Sequence, residues 1–263
     1  MITMHEDEFL NWVTYIFDHP VSQPKWYYED EDIKDNAIAS DGEKSIFCLI
    51  KLFEKPNYYL KPYTDEQINQ GLYFLLSPGS SSYMFTITDQ TIDIGQRIRL
   101  VSSFYILYKE LFLPRCSDDL SYLLRTQEEA QLTNPLNSIC YMWWDILPFA
   151  AVNIESTSDL DIESLAPLIN ISDQDLELMR NLTNHLNRPS NDELLVATAL
   201  ETLKNILQLD SRPCREGALH GLLDSWISVY PKQVEEILDD FITTNPDLDD
   251  DLINYAPGLL KRS

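Results

Sequence analysis

The sequence predicts an all-α fold, a HEAT-like α-solenoid or right-handed superhelix whose N-terminal half is helical but irregular. Three observations carry that reading. Helix-start signals recur at Ser172, Ser190, Ser211 with Pro213, Pro231 and Asp247, so helices follow one another about every 20 residues and helix pairs about every 40, the period of HEAT-type arrays. The apolar residues between these signals repeat at three- and four-residue spacing. The connections are short: the Tyr230–Pro231 step stops one helix and starts the next with almost no loop, which forces an antiparallel pair. Such stacks bury apolar faces between neighbours and leave a curved surface free for a partner.

Taken in order, the chain opens with His5, Glu6, Asp7 and Glu8 ahead of Phe9. A secretory signal needs a basic lead before an apolar stretch, and a transit peptide needs arginine and few acids, so neither is expected and the cytoplasm is the default location. Val21 to Asp35 mixes Pro24, Trp26, Tyr27 and Tyr28 with acids and reads as an ordered loop. The box Ser40 to Glu43 opens a helix striped by Ile46, Leu49, Ile50 and Phe53, and the box Thr64 to Gln67 opens one striped by Ile68, Leu72, Leu75 and Leu76. Ser77 to Thr91 reads as a second ordered loop, with a turn at Ser-Pro-Gly-Ser and a short strand allowed by the aromatic and β-branched run Tyr83 to Thr88. Ile98, Val101, Tyr105, Tyr108 and Phe112 stripe a long helix ending near Pro114. Asn134 with Pro135 caps a helix through Ile139 to Leu147 that Pro148 closes.

A break over Ala150 to Asp161 divides an irregular half, residues 1–150, from a regular half, residues 151–263, and the two also read as one continuous domain. In the second half Val196, Leu200, Leu203 and Leu207 form one stripe, Leu219, Leu222, Leu223 and Trp226 the next, and Val234, Ile237, Leu238 and Phe241 the third. Leu252, Ile253, Ala256 and Leu259 supply a terminal helix that caps the stack.

Composition narrows the function classes. The 263 residues hold 44% hydrophobic side chains with five Trp and fourteen Tyr, enough for a sizeable core. Apolar runs are broken by charge before reaching the roughly 20 residues of a membrane span. Nineteen Lys and Arg stand against 43 Asp and Glu, a net charge of -24 that a nucleic-acid backbone would repel and that a basic partner protein would welcome. Cys48, Cys116, Cys140 and Cys214 are scattered, with no CxxC pair, and read as reduced thiols. None of GxxxxGK[ST], GxGxxG, HExxH or GxSxG occurs, so no cofactor is expected.

Three groups stand out as candidate sites. Trp143 and Trp144 point roughly 100° apart on a helix; both are buried only if neighbours enclose it, and otherwise one floors a pocket with Asp145 at its lip to meet a cation. Glu216, His220 and Asp224 lie four apart on one helix face. Either Glu216 faces a helix dipole while His220 bonds a neighbouring helix, or the group ligates a metal or serves, assisted by Cys214, as acid and base. His5, His19 and His185 offer no second ligand, so no catalytic or metal residue is assigned. Glu235, Glu236, Asp239, Asp240, Asp247 and Asp249 to Asp251 form an acidic cluster with Lys232 as its nearby opposing charge, and Asp239 and Asp240 are its candidate contacts for a basic partner. Arg97, Arg99 and Lys109 are expected to neutralise neighbouring carboxylates.

With these residues in place, the chain resembles a family of uncharacterised bacterial proteins with HEAT-like helices. The resemblance is carried by N-S-I-C-Y-M-W-W-D at Asn137 to Asp145, C-R-E-G-A-L-H-G-L-L-D-S-W at Cys214 to Trp226 and P-K-Q-V-E-E-I-L-D-D-F at Pro231 to Phe241, and it spans most of the chain. It implies an all-helical fold and carries over no functional residue. Where the family pattern reads G-L-G-H-W, this chain has G-L-L-D-S-W, which removes a second His near His220.

The function these features favour is a non-enzymatic scaffold that binds a partner protein on an acidic curved surface. One version is an immunity or antitoxin protein that sequesters a basic toxin. The rival is an enzyme or metal-binding protein using His220 with Glu216 or Asp224.

Overall fold

A computed structural model of the chain describes residues 4–29, 38–123, 134–148 and 191–255. Among them every regular element is a helix. The Ser172 start, the break at 150–161 and the terminal Ala256 and Leu259 lie outside the described residues.

Helix α1, Glu6–Phe17, places Glu6, Asp7 and Glu8 in its first turn, where they meet the positive end of the dipole, and buries Phe9, Trp12, Val13, Ile16 and Phe17. The first expected loop holds a one-turn helix, α2, Trp26–Glu29. Helix α3, Gly42–Phe53, is capped by Asp41 and not by Ser40: the Asp41 carboxylate accepts from the Lys44 amide at 3.1 Å. The short α4, Pro56–Tyr59, leads to α5, Asp65–Leu76. There the Thr64–Gln67 box forms in both directions, at 3.1 and 3.3 Å.

Tyr83–Ile87 is a 3-10 helix and not a strand. Strand alternation would put residues 83, 85 and 87 on one face. Instead Tyr83, Met84 and Ile87 are buried while Phe85 is 45% exposed, the spacing of a helical turn. The Trp12 indole donates to the Tyr83 hydroxyl at 2.9 Å and ties this turn to α1.

Helix α6, Ile94–Leu107, capped by Asp93, runs into a π-helical turn at Tyr108–Phe112 and a last turn, α7, Leu113–Arg115, beside Pro114 as expected. Helix α8, Pro135–Ile146, is capped by Asn134, whose side chain accepts from the Leu136 amide at 2.8 Å. In the C-terminal part lie α9, Asn191–Leu207, and α10, Arg212–His220, which is capped by Ser211 and continued by a π-helical turn at Gly221–Trp226. Helix α11, Pro231–Thr244, and α12, Asp250–Tyr255, follow. The last helix among the described residues starts later than Asp247 suggests, because Asp249 supplies the cap, accepting from the Asp251 and Leu252 amides at 3.0 and 3.3 Å.

These helices pack in two rows. Helices α1, α5, α8, α10 and α12 touch in that order, as do α3, α6, α9 and α11, and α9 against α10 joins the rows. One hydrophobic core extends from Phe9 to Leu252. The α8–α10 seam is tight: a Cβ on Gly217 would stand 2.5 Å from the Cys140 carbonyl oxygen, and one on Gly221 2.5 Å from the Trp144 Cβ. Tyr108 closes the same seam by donating to the Cys140 carbonyl at 2.6 Å. No helix among the described residues is long and apolar enough to cross a membrane.

Candidate functional site

Helix α10 and its π-helical continuation bring His220 and Asp224 together and send Glu216 elsewhere. His220 Nδ1 lies 2.7 Å from the Asp224 carboxylate and 2.7 Å from the Tyr255 hydroxyl. Since a carboxylate only accepts, the proton sits on Nδ1. The imidazole stacks on Tyr141 at 4.0 Å, and the Tyr141 hydroxyl is 3.0 Å from that of Tyr255. Nε2 is buried with no hydrogen-bond partner. Thus His220 does bond a neighbouring helix, α12, through Tyr255.

Glu216 is fully buried and its two oxygens accept from the Ser121 and Tyr122 amides at 2.9 and 2.8 Å. Those amides open the 3-10 turn Ser121–Leu123, so the carboxylate caps that turn in trans. Burial pushes its pKa up to about 7, against the two amide bonds and Arg212, which pull it down. Its partners lie 94 and 95 residues away in sequence, a pairing that helix spacing cannot reveal. Among the described residues no group of three or more His, Cys, Asp or Glu could hold a metal ion. All four cysteines are free thiols, with Cys48, Cys140 and Cys214 buried.

Trp143 and Trp144 are both in the core, at 0% and 1% exposure. Phe53, Phe104 and Phe112 meet Trp143, and Phe104 also meets Trp144 edge-on. Neighbouring helices therefore enclose α8, and Asp145 stands exposed beside them. The expected cationic roles divide. Arg99 forms a bidentate pair with Glu54 at 2.6 and 2.7 Å. Arg97 is fully buried and donates to the Ile87 carbonyl at 2.6 Å, and Lys109 lies over the Tyr105 ring.

The acidic C-terminal surface is partly neutralised by cations other than Lys232. Lys204 on α9 reaches Asp240 at 3.1 Å, and Arg212 reaches Asp249 at 2.8 Å and Asp251 at 3.0 Å. Asp239 is exposed on α11. Beside this surface, between α9 and α11, runs a groove of about 640 Å³. Its floor and walls include Val196, Ala197, Leu200, Val229 and Ile237, and Glu193, Glu201 and Glu236 rim it. Lys204 is the one cation among its lining residues. Sequence reasoning placed Val196, Leu200 and Ile237 in core stripes and counted Glu236 in the acidic cluster, but did not single out Glu193 and Glu201; the signal was present as acids flanking the stripe at helical spacing.

A second cleft, of about 530 Å³, contains Lys51, Glu54 and Arg99. Here Glu54 already binds Arg99 and Glu6 binds Lys51, so most of its cationic charge is spent within the protein. No family model, curated protein or solved structure matches the chain.

Proposed function

We propose that this chain is a non-enzymatic scaffold, a HEAT-like α-solenoid that holds a basic partner protein on its acidic C-terminal face. The observation that carries the reading is the acid-rimmed groove between α9 and α11, next to exposed Asp239. The solenoid part is supported by the two rows, in which each helix meets its neighbours in order. A net charge of -24 adds long-range attraction for a cationic surface.

The test is the rate at which a captured partner associates. Asp239→Lys with Asp240→Lys should slow association without unfolding the protein, and added salt should slow it as well, because the screening length falls from about 10 Å at 0.1 M to about 3 Å at 1 M. A partner whose association ignores both salt and these substitutions would refute the reading. An immunity or antitoxin protein is the special case in which the partner is a basic toxin; growth rescue on co-expression with a toxin encoded alongside would distinguish it.

The rival reading, an acid–base or metal site, draws on the His220–Asp224 pair and the bare Nε2. Elemental analysis separates the two: one transition metal per chain in the wild type, absent from His220→Gln, would establish the rival.

A further inference from the structure

The groove between α9 and α11 has the form of a helix-binding site. Residues 193, 196, 197, 200, 201 and 204 line one wall, and 229, 230, 233, 236 and 237 line the other. The first set follows three- and four-residue steps and is a single face of α9, whereas the second joins the α11 face at Gln233, Glu236 and Ile237 to Val229 and Tyr230 of the turn before it. At 1.5 Å per residue, positions 193 to 204 extend about 16 Å, three turns of helix. The two walls meet much less closely than α6 meets α9 in the same row. The result is an open slot with an apolar floor.

Part of that floor is open to solvent. Val229 is 57% exposed, and Ala197 is exposed while Val196 and Leu200 lie beneath. The rim is acidic on both sides, with Glu193 and Glu201 on α9 and Glu236 on α11. Lys204, the lining cation, has its ammonium held by Asp240, so the slot presents net negative charge around an apolar strip.

We infer that this slot takes an amphipathic helix of the partner, apolar at positions i, i+3, i+4 and i+7 and flanked by Lys or Arg that pair with Glu201 and Glu236. An apolar stripe laid between two helix faces is a common mode of peptide recognition. Charge complementarity selects the occupant: a helix with acidic flanks would meet like charge on both rims, and an uncharged one would leave the rim unanswered. This inference rests on the proposed scaffold function and adds the partner's binding element and its place.

The experiment uses the full chain and two synthetic 14-residue peptides of identical Leu and Lys composition. One carries Leu at i, i+3, i+4, i+7 and i+11; the other has the same residues shuffled so that no face is apolar. Titration calorimetry at about 0.1 M salt should give at least tenfold tighter binding for the striped peptide, with helix induced in it by circular dichroism. Ala197→Trp, which fills the slot, should abolish that difference, and Glu201→Lys with Glu236→Lys should weaken the striped peptide at least tenfold. Val229→Arg is the alternative block should Ala197→Trp alter the protein's own spectrum.

Equal binding of both peptides, or striped binding that survives a block, would overturn the helix slot and leave the acidic-face reading untouched. So would a photo-crosslinker at Ala197 that reacts only within its own chain, or a dimer in sedimentation that the striped peptide does not dissociate. The scaffold reading fails separately, through Asp239→Lys alone, since Asp239 neither lines the slot nor holds Lys204, whereas Asp240 does hold it.

Discussion

Gly217 and Gly221 set the depth at which α10 lies on α8, because a methyl group at either position meets backbone or a tryptophan Cβ that has no freedom to move aside. Gly221→Ala should therefore destabilise the protein by about 1–3 kcal/mol through overpacking, read as a lower urea midpoint at unchanged slope. Trp226, 4% exposed, completes the stripe of the same segment. Trp226→Ala should cost about 3–5 kcal/mol through lost burial and an unfilled cavity. Glu216 sets a pH dependence. Its folded pKa of about 7 lies above the ordinary 4.5, so between these values the folded state holds the proton that the unfolded state releases. The group's contribution is fully present below about 4.5 and is lost as pH rises to about 7, by on the order of 3 kcal/mol. Glu216→Gln should flatten that part of the stability profile; a slope equal to the wild type's would show that other groups produce it. The His220–Asp224 pair was legible from spacing, since i and i+4 share a face. The partner of Glu216 was not, since only tertiary packing brings Ser121 and Tyr122 to it.

At the scale of elements, the terminal helix α12 buries Leu252 and otherwise docks through polar and aromatic contacts. Arg212 reaches Asp249 and Asp251, the Tyr122 hydroxyl donates to the Asp251 carbonyl at 2.6 Å, and Tyr255 bonds His220 and Tyr141. Arg212→Ala should cost only about 1 kcal/mol, since its ion pairs are partly exposed. The loss should nevertheless concentrate in α12: amide exchange should speed up over residues 250–255 while α8 stays protected. Protection lost equally in both would mean that α12 unfolds only with the whole molecule. Element starts were legible where a cap acts within four residues, as at Thr64, Asn134 and Ser211. They slipped where two acceptors compete: Asp41 displaces Ser40, and Asp249 displaces Asp247. The turn at Tyr83–Ile87 was misread as a possible strand because aromatic and β-branched content favours strands only when a partner strand exists, and the described residues contain none.

For the whole molecule, the all-helical class followed from start signals, periodicity and short connections, whereas the two-row order depends on contacts between distant segments that no local pattern encodes. The charge imbalance acts on every part at once. Self-repulsion among 43 acids opposed by 19 bases should make the fold more stable in salt, so the melting temperature should rise between about 0.05 and 0.3 M NaCl. A flat response would show that pairs such as Arg99–Glu54 and Arg212–Asp249 already neutralise the charge that matters. The row order also bears on the covalent chain. Helix α9 lies on α6, and α10 lies on α8, so the segment after residue 190 is bound to the segment before residue 149 through buried seams. Those seams should therefore stay in register when one peptide link between residues 149 and 190 is cut. Two separately encoded pieces that together keep every residue, 1–160 and 161–263, should find each other and co-elute as one particle, and Gly221→Ala in the smaller piece should impair their reassembly. The molecule would then be its own split reporter, with the α8–α10 seam as its joint.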